Sequence, residues 1–561
     1  MNLFRLLRFF LPLQNPIGFG MADYIELGTI LLMAGALLAR SPIEAGIRWI
    51  ASRPAWAMGL LAALPIVLRL LLLPHHPVPI PQTSDDFSYL LLGDTLAHFR
   101  LGNPPHPMSR FFETVFVLQD PTYSSIYPLG QGIALAVGEL IFREPWAGVL
   151  LTEGLMCALI YWMLAAWVPA TWAFVGGLFA VAEFGPLNQW MNTYWGGAVS
   201  AIAGCLMFGA IPRLRATGRV RDGVLAGGGL GLQILTRPFE AALTGLCVLP
   251  AVRRRRGAAL LALMPALVLL AAHNRAVTGS WFTLPYSVSR YQYGVPAAFT
   301  LQKNIEAHRP LTREQSLDLR AQTDVHGPGV DTVGSYLTRL ASRIRFYRFF
   351  YLTPLYLALP FFFPALREQR HLWVAASLCG FALGTNFYPY FYPHYIAAAT
   401  CLFVLISVVG LQRLSWIRVR GIAAGAQAMR LIALLCLAHV TFWYGLHLLG
   451  SEDLFIASGQ YESWDFINFG DAEGRAAIDR RLAAAPGKQL VFVRFGPAHL
   501  LREWIHNAAN IDAARVVWAL DLGRDENEKL IRYYPDRKVW LIEPDARPPR
   551  LSEYAPEPAL H

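Results

Sequence analysis

Charge is scarce in this chain: 15% of its 561 residues are Asp, Glu, Lys or Arg, 55% are hydrophobic, and the mean hydropathy is +0.37. That balance excludes an ordinary soluble domain, in which about a quarter of residues are charged. Cysteine is scarce too. Cys157, Cys205, Cys247, Cys379, Cys401 and Cys436 sit singly in apolar runs, without the paired spacing of zinc or redox sites, and read as inert packing residues. There is no internal repeat, no low-complexity segment and no glycine-rich nucleotide fingerprint. The net charge of +10 comes mostly from arginines in short clusters between apolar segments. They form no stripe that could track a phosphate backbone, so nucleic acid is excluded as a partner and membrane lipids take its place. The composition is that of a polytopic membrane protein.

A bilayer core of about 30 Å needs roughly 20 helical residues, fewer where a helix is enclosed by protein. Stretches near 24–40, 54–74, 145–167, 170–185, 197–212, 222–236, 238–252, 257–272, 346–363, 372–387, 394–412 and 429–449 meet or approach that length, predicting about 11–13 transmembrane helices. Arginine clusters at Arg40, Arg48 and Arg53, at Arg213, Arg215, Arg219 and Arg221, at Arg253 to Arg256, at Arg367 and Arg370, and at Arg413, Arg418 and Arg420 fall in every second loop. By the positive-inside rule those loops face the cytoplasm. The loops 76–143, 186–196, 236–240, 273–345 and 387–393 and the tail from 450 then face outward. Arg5 and Arg8 do not fit this pattern if 24–40 spans. The opening residues resemble a signal peptide without a cleavage site, so the chain is not cut there. Residues 1–449 are expected to form the membrane module. In 450–561 the runs "KQLVFVRF", "PAHLLREWIHNAANI", "RVVWALDL", "DENEKLIRYYP" and "KVWLIEP" predict a β-α-β-α-β unit, a small α/β domain outside the membrane.

The first outward loop holds "TSDDFSYLLLGDTLAHF", residues 83–99. Thr or Ser before two acids is a helix N-cap with its dipole complemented. Tyr89 and Asp94 share helical faces with these acids. Carboxylates paired in a partly desolvated place also suit a general base, or a divalent cation such as Mg or Mn held by Asp85 and Asp86. Downstream, "RFFETVFVLQDPTYSSIYPLGQG", residues 110–132, reads as an amphipathic interfacial helix and turn, or as a re-entrant site with Glu113, Asp120, Tyr123 and Tyr127 as polar contacts. "LTRPFEA" puts Arg237 and Glu240 between two short apolar segments, either as an internal pair or with Arg237 as a phosphate clamp. "NQWMNTYWGG" and "NFYPYFYPHYIAA" fit aromatic belts, but Asn192 and Trp195 also suit a sugar face, and His394 and Tyr395 a lipid phosphate. The loop 286–294 could line an acceptor path.

"DDFSY" in the first outward loop, followed by "IYPLGQG" leading into an apolar helix, resembles the GT-C membrane glycosyltransferases, among them the protein O-mannosyltransferases and lipid A aminoarabinose transferases. The resemblance implies a helical core, a polyprenyl-phosphate-linked sugar as donor, inversion at the anomeric carbon, and a glycan, lipid or protein acceptor on the outer side of the cytoplasmic membrane. It implies Asp85 as the base and Asp86 as its neighbouring acid. Arg237, His394, Tyr395 and Tyr127 then fall on the donor phosphate, and Tyr89, Asp94, Glu113, Asn192, Trp195 and Glu240 on acceptor or sugar. Asp86 stands where the relatives usually have Glu, and one proline precedes "LGQG" where they often have two; both bear on the acceptor more than on the reaction.

Two rivals remain at this point. A transporter or flippase for a lipid-linked glycan would place ionisable residues near helix midpoints and relate the halves of the chain; the sequence shows neither clearly. An inactive GT-C-like scaffold would keep the tail and lose the carrier.

Overall fold

The computed structural model describes residues 40–449 and 474–554, apart from 249–251, 253, 328, 498, 500 and 501, with four isolated positions (28, 29, 31 and 33) before them. The expected first span at 24–40 falls almost wholly outside the described residues, as do residues 451–473, where the membrane module was expected to hand over to the tail.

In chain order the helices are α1 (Arg40–Ala51), α2 (Pro54–Leu71), α3 (Ser84–Ala97), α4 (Leu129–Phe142), α5 (Pro145–Leu164), α6 (Ala170–Phe184), α7 (Ala198–Thr217), α8 (Val220–Thr236), α9 (Pro238–Val248), α10 (Arg256–Thr278), α11 (Pro285–Tyr293), α12 (Arg313–His326), α13 (Val333–Arg343), α14 (Gln369–Thr385), α15 (Thr400–Ser415) and α16 (Ala424–Leu449). Among the described residues six helices are long and apolar enough to cross a membrane: α2, α5, α7, α10, Pro393–Ser415 ending in α15, and α16. The chain is a membrane protein. Helices α4, α6 and α9 are apolar but shorter.

Three expectations need correcting. The stretch 346–363 is no continuous span but three 3-10 turns, Ile344–Phe350, Thr353–Leu357 and Leu359–Arg367. Pro354, Pro360 and Pro364 each remove a backbone donor, which breaks an α ladder. Residues 110–132 form no amphipathic helix. They give one 3-10 turn, Ser109–Phe112, and a two-stranded antiparallel ribbon of β1 (Val117–Leu118) and β2 (Ser124–Ser125). The expected loop 76–143 therefore ends near 128, where α4 begins.

Close helix contact shapes the core. A Cβ on Gly148 of α5 would lie 1.9 Å from the Ala134 carbonyl oxygen of α4, and one on Gly204 of α7 1.8 Å from that of Ala398. Such backbone approach substitutes for hydrophobic driving force between helices in lipid.

The tail adds α17 (Arg475–Ala484), β3 (Lys488–Val493), β4 (Val516–Leu520), α18 (Arg524–Tyr533), β5 (Arg537–Glu543) and β6 (Arg550–Glu553). The strand order is β4-β3-β5-β6, parallel except for β6. The helix expected at 497–511 is absent from the described residues 502–508. Their backbone groups have other partners: the Trp504 and Ile505 amides donate to the Glu503 carboxylate, the Glu503 amide donates to the Gln82 carbonyl, and the Asn507 carbonyl accepts from the Tyr123 hydroxyl. With those groups satisfied, a helical ladder has no advantage.

This domain shares a core with the first loop. Phe111, Phe112, Val117 and Tyr123 pack with Leu490, Phe492 and Val517, while His106 meets Asp512 and the Tyr534 hydroxyl at 3.1 Å each. Replacing Gly148 with Ala should lower the Tm in nanodiscs, at about 1–3 kcal/mol of overpacking. The same change at Gly59 of α2, where a Cβ meets nothing within 4 Å, should leave it unchanged or raise it. Equal shifts at both positions would refute the close-contact account.

Candidate active site

Helix α3 begins with a capping box. Thr83 Oγ1 accepts from the Asp86 amide at 3.3 Å, and Asp86 Oδ2 accepts from the Thr83 amide at 3.2 Å, the Thr83 hydroxyl at 3.0 Å and the Gln82 amide at 3.2 Å. Asp86 Oδ1 accepts from the Tyr194 amide at 3.1 Å. Capping is therefore the work of Asp86, and it turns its neighbour to a different set of partners.

Asp85 accepts a hydrogen bond from the Tyr127 hydroxyl. The Tyr127 ring stacks on Tyr89 with centroids 4.1 Å apart and meets Tyr286 edge-on at 5.7 Å. Burial pushes the Asp85 carboxyl up to about 6; the Tyr127 bond opposes the rise, Asp86 and Asp318 add to it, and Arg237 opposes it. Burial and the Asp85 charge hold Tyr127 well above its ordinary value, so it remains a donor.

Arg237 lies at the break between α8 and α9, with 14% of its side chain exposed. Its guanidinium carbon stands 4.8 Å from the centre of the Tyr395 ring, and its nearest carboxylate is Glu240 at 3.7 Å. Glu240 is buried and accepts from the Tyr388 hydroxyl at 3.3 Å. It is thus a counter-ion that positions Arg237 rather than the sugar contact expected of it. His394 touches Tyr395 at 4.7 Å and Trp195 at 4.9 Å between ring centres. The Trp195 indole nitrogen is buried without a hydrogen-bond partner among the described residues. A carboxylate, a guanidinium, an imidazole and an indole N–H thus gather among Tyr89, Tyr127, Tyr286 and Tyr395.

Three other expected contacts are committed elsewhere. Asp94 accepts from the Ala509 amide at 2.6 Å and so holds the C-terminal domain. Glu113 is buried between Arg110 and Arg309. Asn192 accepts from Arg69 Nε at 2.7 Å and donates to the carbonyls of Pro186 and Asn188. The expected cation site at Asp85 and Asp86 does not fit its residues: the lone pairs of Asp86 already receive four protein donors, and a carboxylate has about four acceptor positions. Among the described residues no group of three or more His, Cys, Asp or Glu could hold a metal ion. Sequence reasoning missed Asp318, which carries no local motif; the loop 286–294 hinted at Tyr286, and Tyr388 lies within "NFYPYFYPHYIAA" without being singled out there.

Ionisable groups do occur within apolar helices, against expectation. Glu153, near the middle of α5, and Glu183, at the end of α6, are buried with both carboxyl oxygens unpartnered among the described residues. Neither has the charged neighbours that a translocation path requires.

No protein-family model matches the chain, and no curated protein does. Among solved structures it is similar to ArnT from Cupriavidus metallidurans bound to undecaprenyl phosphate, at 14% identity and a TM-score of 0.46, with 86% of this chain and 92% of that one covered. It is similar to the archaeal oligosaccharyltransferase AglB from Archaeoglobus fulgidus in complex with an inhibitory peptide and a dolichol-phosphate, at 12% identity and a TM-score of 0.43, covering 87% and 69%. A third likeness is to the Archaeoglobus fulgidus oligosaccharyltransferase in complex with Zn and sulfate, at 10% identity and a TM-score of 0.46, covering 87% and 67%. At these identities and TM-scores the likeness carries no activity or ligand over to this chain.

A carboxyl raised from 3.8 to about 6 by burial destabilises the fold where it is ionised in both states, above about pH 6. That penalty fades as pH falls from the folded to the unfolded value, where both states are protonated. Asp85→Asn should therefore raise stability by about 1–3 kcal/mol at pH 8, with the gain shrinking towards pH 4. A gain that grows on acidification would contradict the burial account.

Proposed function

We propose that this protein is an integral-membrane glycosyltransferase that moves a sugar from a polyprenyl-phosphate carrier to an acceptor hydroxyl on the outer side of the cytoplasmic membrane. The observation that carries the reading is the pairing of Asp85 and Arg237 in one partly buried site without a direct ion pair between them. A guanidinium whose carboxylate partner is 3.7 Å away keeps donors for a phosphate fork. His394 and the Trp195 indole N–H stand beside it to serve the remaining phosphate oxygens. Asp85, with a proton affinity near neutrality, suits a general base.

The step is a single displacement. The acceptor oxygen attacks the anomeric carbon from the face opposite the phosphate as the carbon–oxygen bond to the carrier breaks. The electron pair leaves with the phosphate, where Arg237 meets the developing charge. The acceptor proton passes to Asp85, and the anomeric configuration inverts. Tyr127 holds Asp85 in place. No step is routed through a metal, because the donor set at Asp85 and Asp86 does not suit one.

A transporter or flippase draws on Glu153 and Glu183, but a carboxyl without a charged neighbour among the described residues forms no pathway. The discriminating experiment presents the purified protein in nanodiscs with a panel of polyprenyl-phosphate sugars. Wild type should bind and turn over at least one. Asp85→Asn should lose about 10²- to 10⁴-fold in kcat with donor Kd unchanged, and Arg237→Ala should weaken donor binding by about tenfold or more. Failure of folded wild type to bind any carrier would end this reading.

A further inference from the structure

Asp318 belongs to the second long loop and lies more than two hundred residues from Asp85 in sequence, yet both feel one local field. Helix α12 delivers it. The helix starts on a capping box in which Thr312 Oγ1 accepts from the Gln315 amide at 3.2 Å and Gln315 Oε1 from the Thr312 amide at 2.9 Å. Two turns along, Asp318 is 6% exposed. Its Oδ2 accepts from Gln322 Nε2 at 2.5 Å, and Gln322 Oε1 in turn accepts from the Ala297 amide at 2.7 Å. This relay fixes the carboxylate from behind. The other oxygen, Oδ1, has no hydrogen-bond partner among the described residues.

Asp318 lines a narrow cleft of about 20 Å³, room for one water-sized group, together with Ser84, Glu314, Phe495, His499, Arg502 and Glu503. Ser84 immediately precedes Asp85, so the cleft lies one residue along α3 from the proposed base, whose own side chain does not line it. Its walls come from α3, α12 and the C-terminal domain. Its ionisable groups are the carboxyls of Glu314, Asp318 and Glu503, the last already accepting from two amides, with Arg502 and the Asp545-bound His499, and Phe495 supplies an apolar ring. The mixture suits one hydroxyl of a sugar whose ring stays at the mouth of the cleft: carboxylate oxygens accept from hydroxyls and an aromatic face packs on C–H edges. An anionic head would meet net repulsion in a site of low dielectric, where like charges act strongly.

We propose that Asp318 is a specificity-determining residue of the acceptor, its free oxygen accepting a hydrogen bond from a sugar-like head that is neutral or cationic and not phosphorylated. The proposal rests on the glycosyltransferase reading above. Glu314, one turn earlier on the same face of α12, adds negative field, and Gln322 is the positioning residue behind Asp318.

The test uses the full chain in nanodiscs, a polyprenyl-phosphate sugar that wild type turns over, and three acceptors: an alkyl hexoside, the matching alkyl aminohexoside and the alkyl hexoside 6-phosphate. Wild type should glycosylate the first two with kcat/KM at least about tenfold above the third. Asp318→Asn should raise KM for the two good acceptors by about tenfold, the scale of one charge-assisted hydrogen bond, while donor Kd stays put. Glu314→Gln should narrow the preference for the amino over the phosphorylated acceptor, again without touching donor Kd. Preference of wild type for the phosphorylated acceptor, or an unchanged acceptor KM in Asp318→Asn that still binds donor, overturns the role of Asp318 alone. Should that variant fail to bind donor, Glu314→Gln and Gln322→Leu decide, and unchanged acceptor kinetics in both overturn it. Absence of donor binding by wild type overturns the parent reading and this inference with it.

Discussion

Four donors converge on the carboxylate of Asp86, and the geometry of the site depends on them. Three come from Gln82 and Thr83 and close the first turn of α3; the fourth, the Tyr194 amide, belongs to a loop more than a hundred residues away. One short side chain thus fixes where α3 starts and ties that start to the segment bearing Trp195. Arg69 does the matching work beneath. Buried at the end of α2, it donates to Asn192 Oδ1 and to the carbonyls of His76 and Pro77, at 2.7–2.9 Å. An unpaired polar group at that depth would cost several kcal/mol, so the two loops hold one arrangement.

Within that frame the reactive groups are kept apart rather than paired. Arg237 has Glu240 as its counter-ion, and Glu240 is itself steadied by Tyr388. Asp85 has Tyr127, a neutral donor. Had Asp85 and Arg237 formed a tight bidentate pair, both would have lost the hydrogen-bonding capacity a substrate needs. A buried charge held by a partner on its far side is preorganised, so little reorganisation is needed as charge develops in front of it.

Much of this was legible in the sequence where the signal was local or periodic. The apolar runs from 145 to 236 and from 394 to 412 became helices at nearly the expected positions, and the three parallel strands of the tail lie where their β-branched runs put them. Asp85, Tyr127, Arg237, His394 and Tyr395 were each singled out as candidates from a motif or from a charge out of place in an apolar setting, and the fold brings them together. What failed was the meaning of residues whose partners are distant. Asp94, Glu113 and Asn192 look like free polar contacts until Ala509, Arg309 and Arg69 arrive from other parts of the chain. Asp318 gave no signal, since a single acid in a polar helix is unremarkable until the fold sets it beside Ser84. The helix expected at 497–511 failed for the same reason: docking took its backbone groups.

The two lone carboxyls have a consequence for how the molecule is made. A segment such as α5, carrying Glu153 near its centre with no partner among the described residues, enters a bilayer at a penalty of a few kcal/mol against an all-apolar helix. Its glycines, Gly148 and Gly154, face backbone of α4 and α2, so the remedy is shelter by neighbours rather than hydrophobicity of its own. Biogenesis of this protein should then be cooperative, with α5 retained at the insertion machinery until α2 and α4 are in place to enclose it.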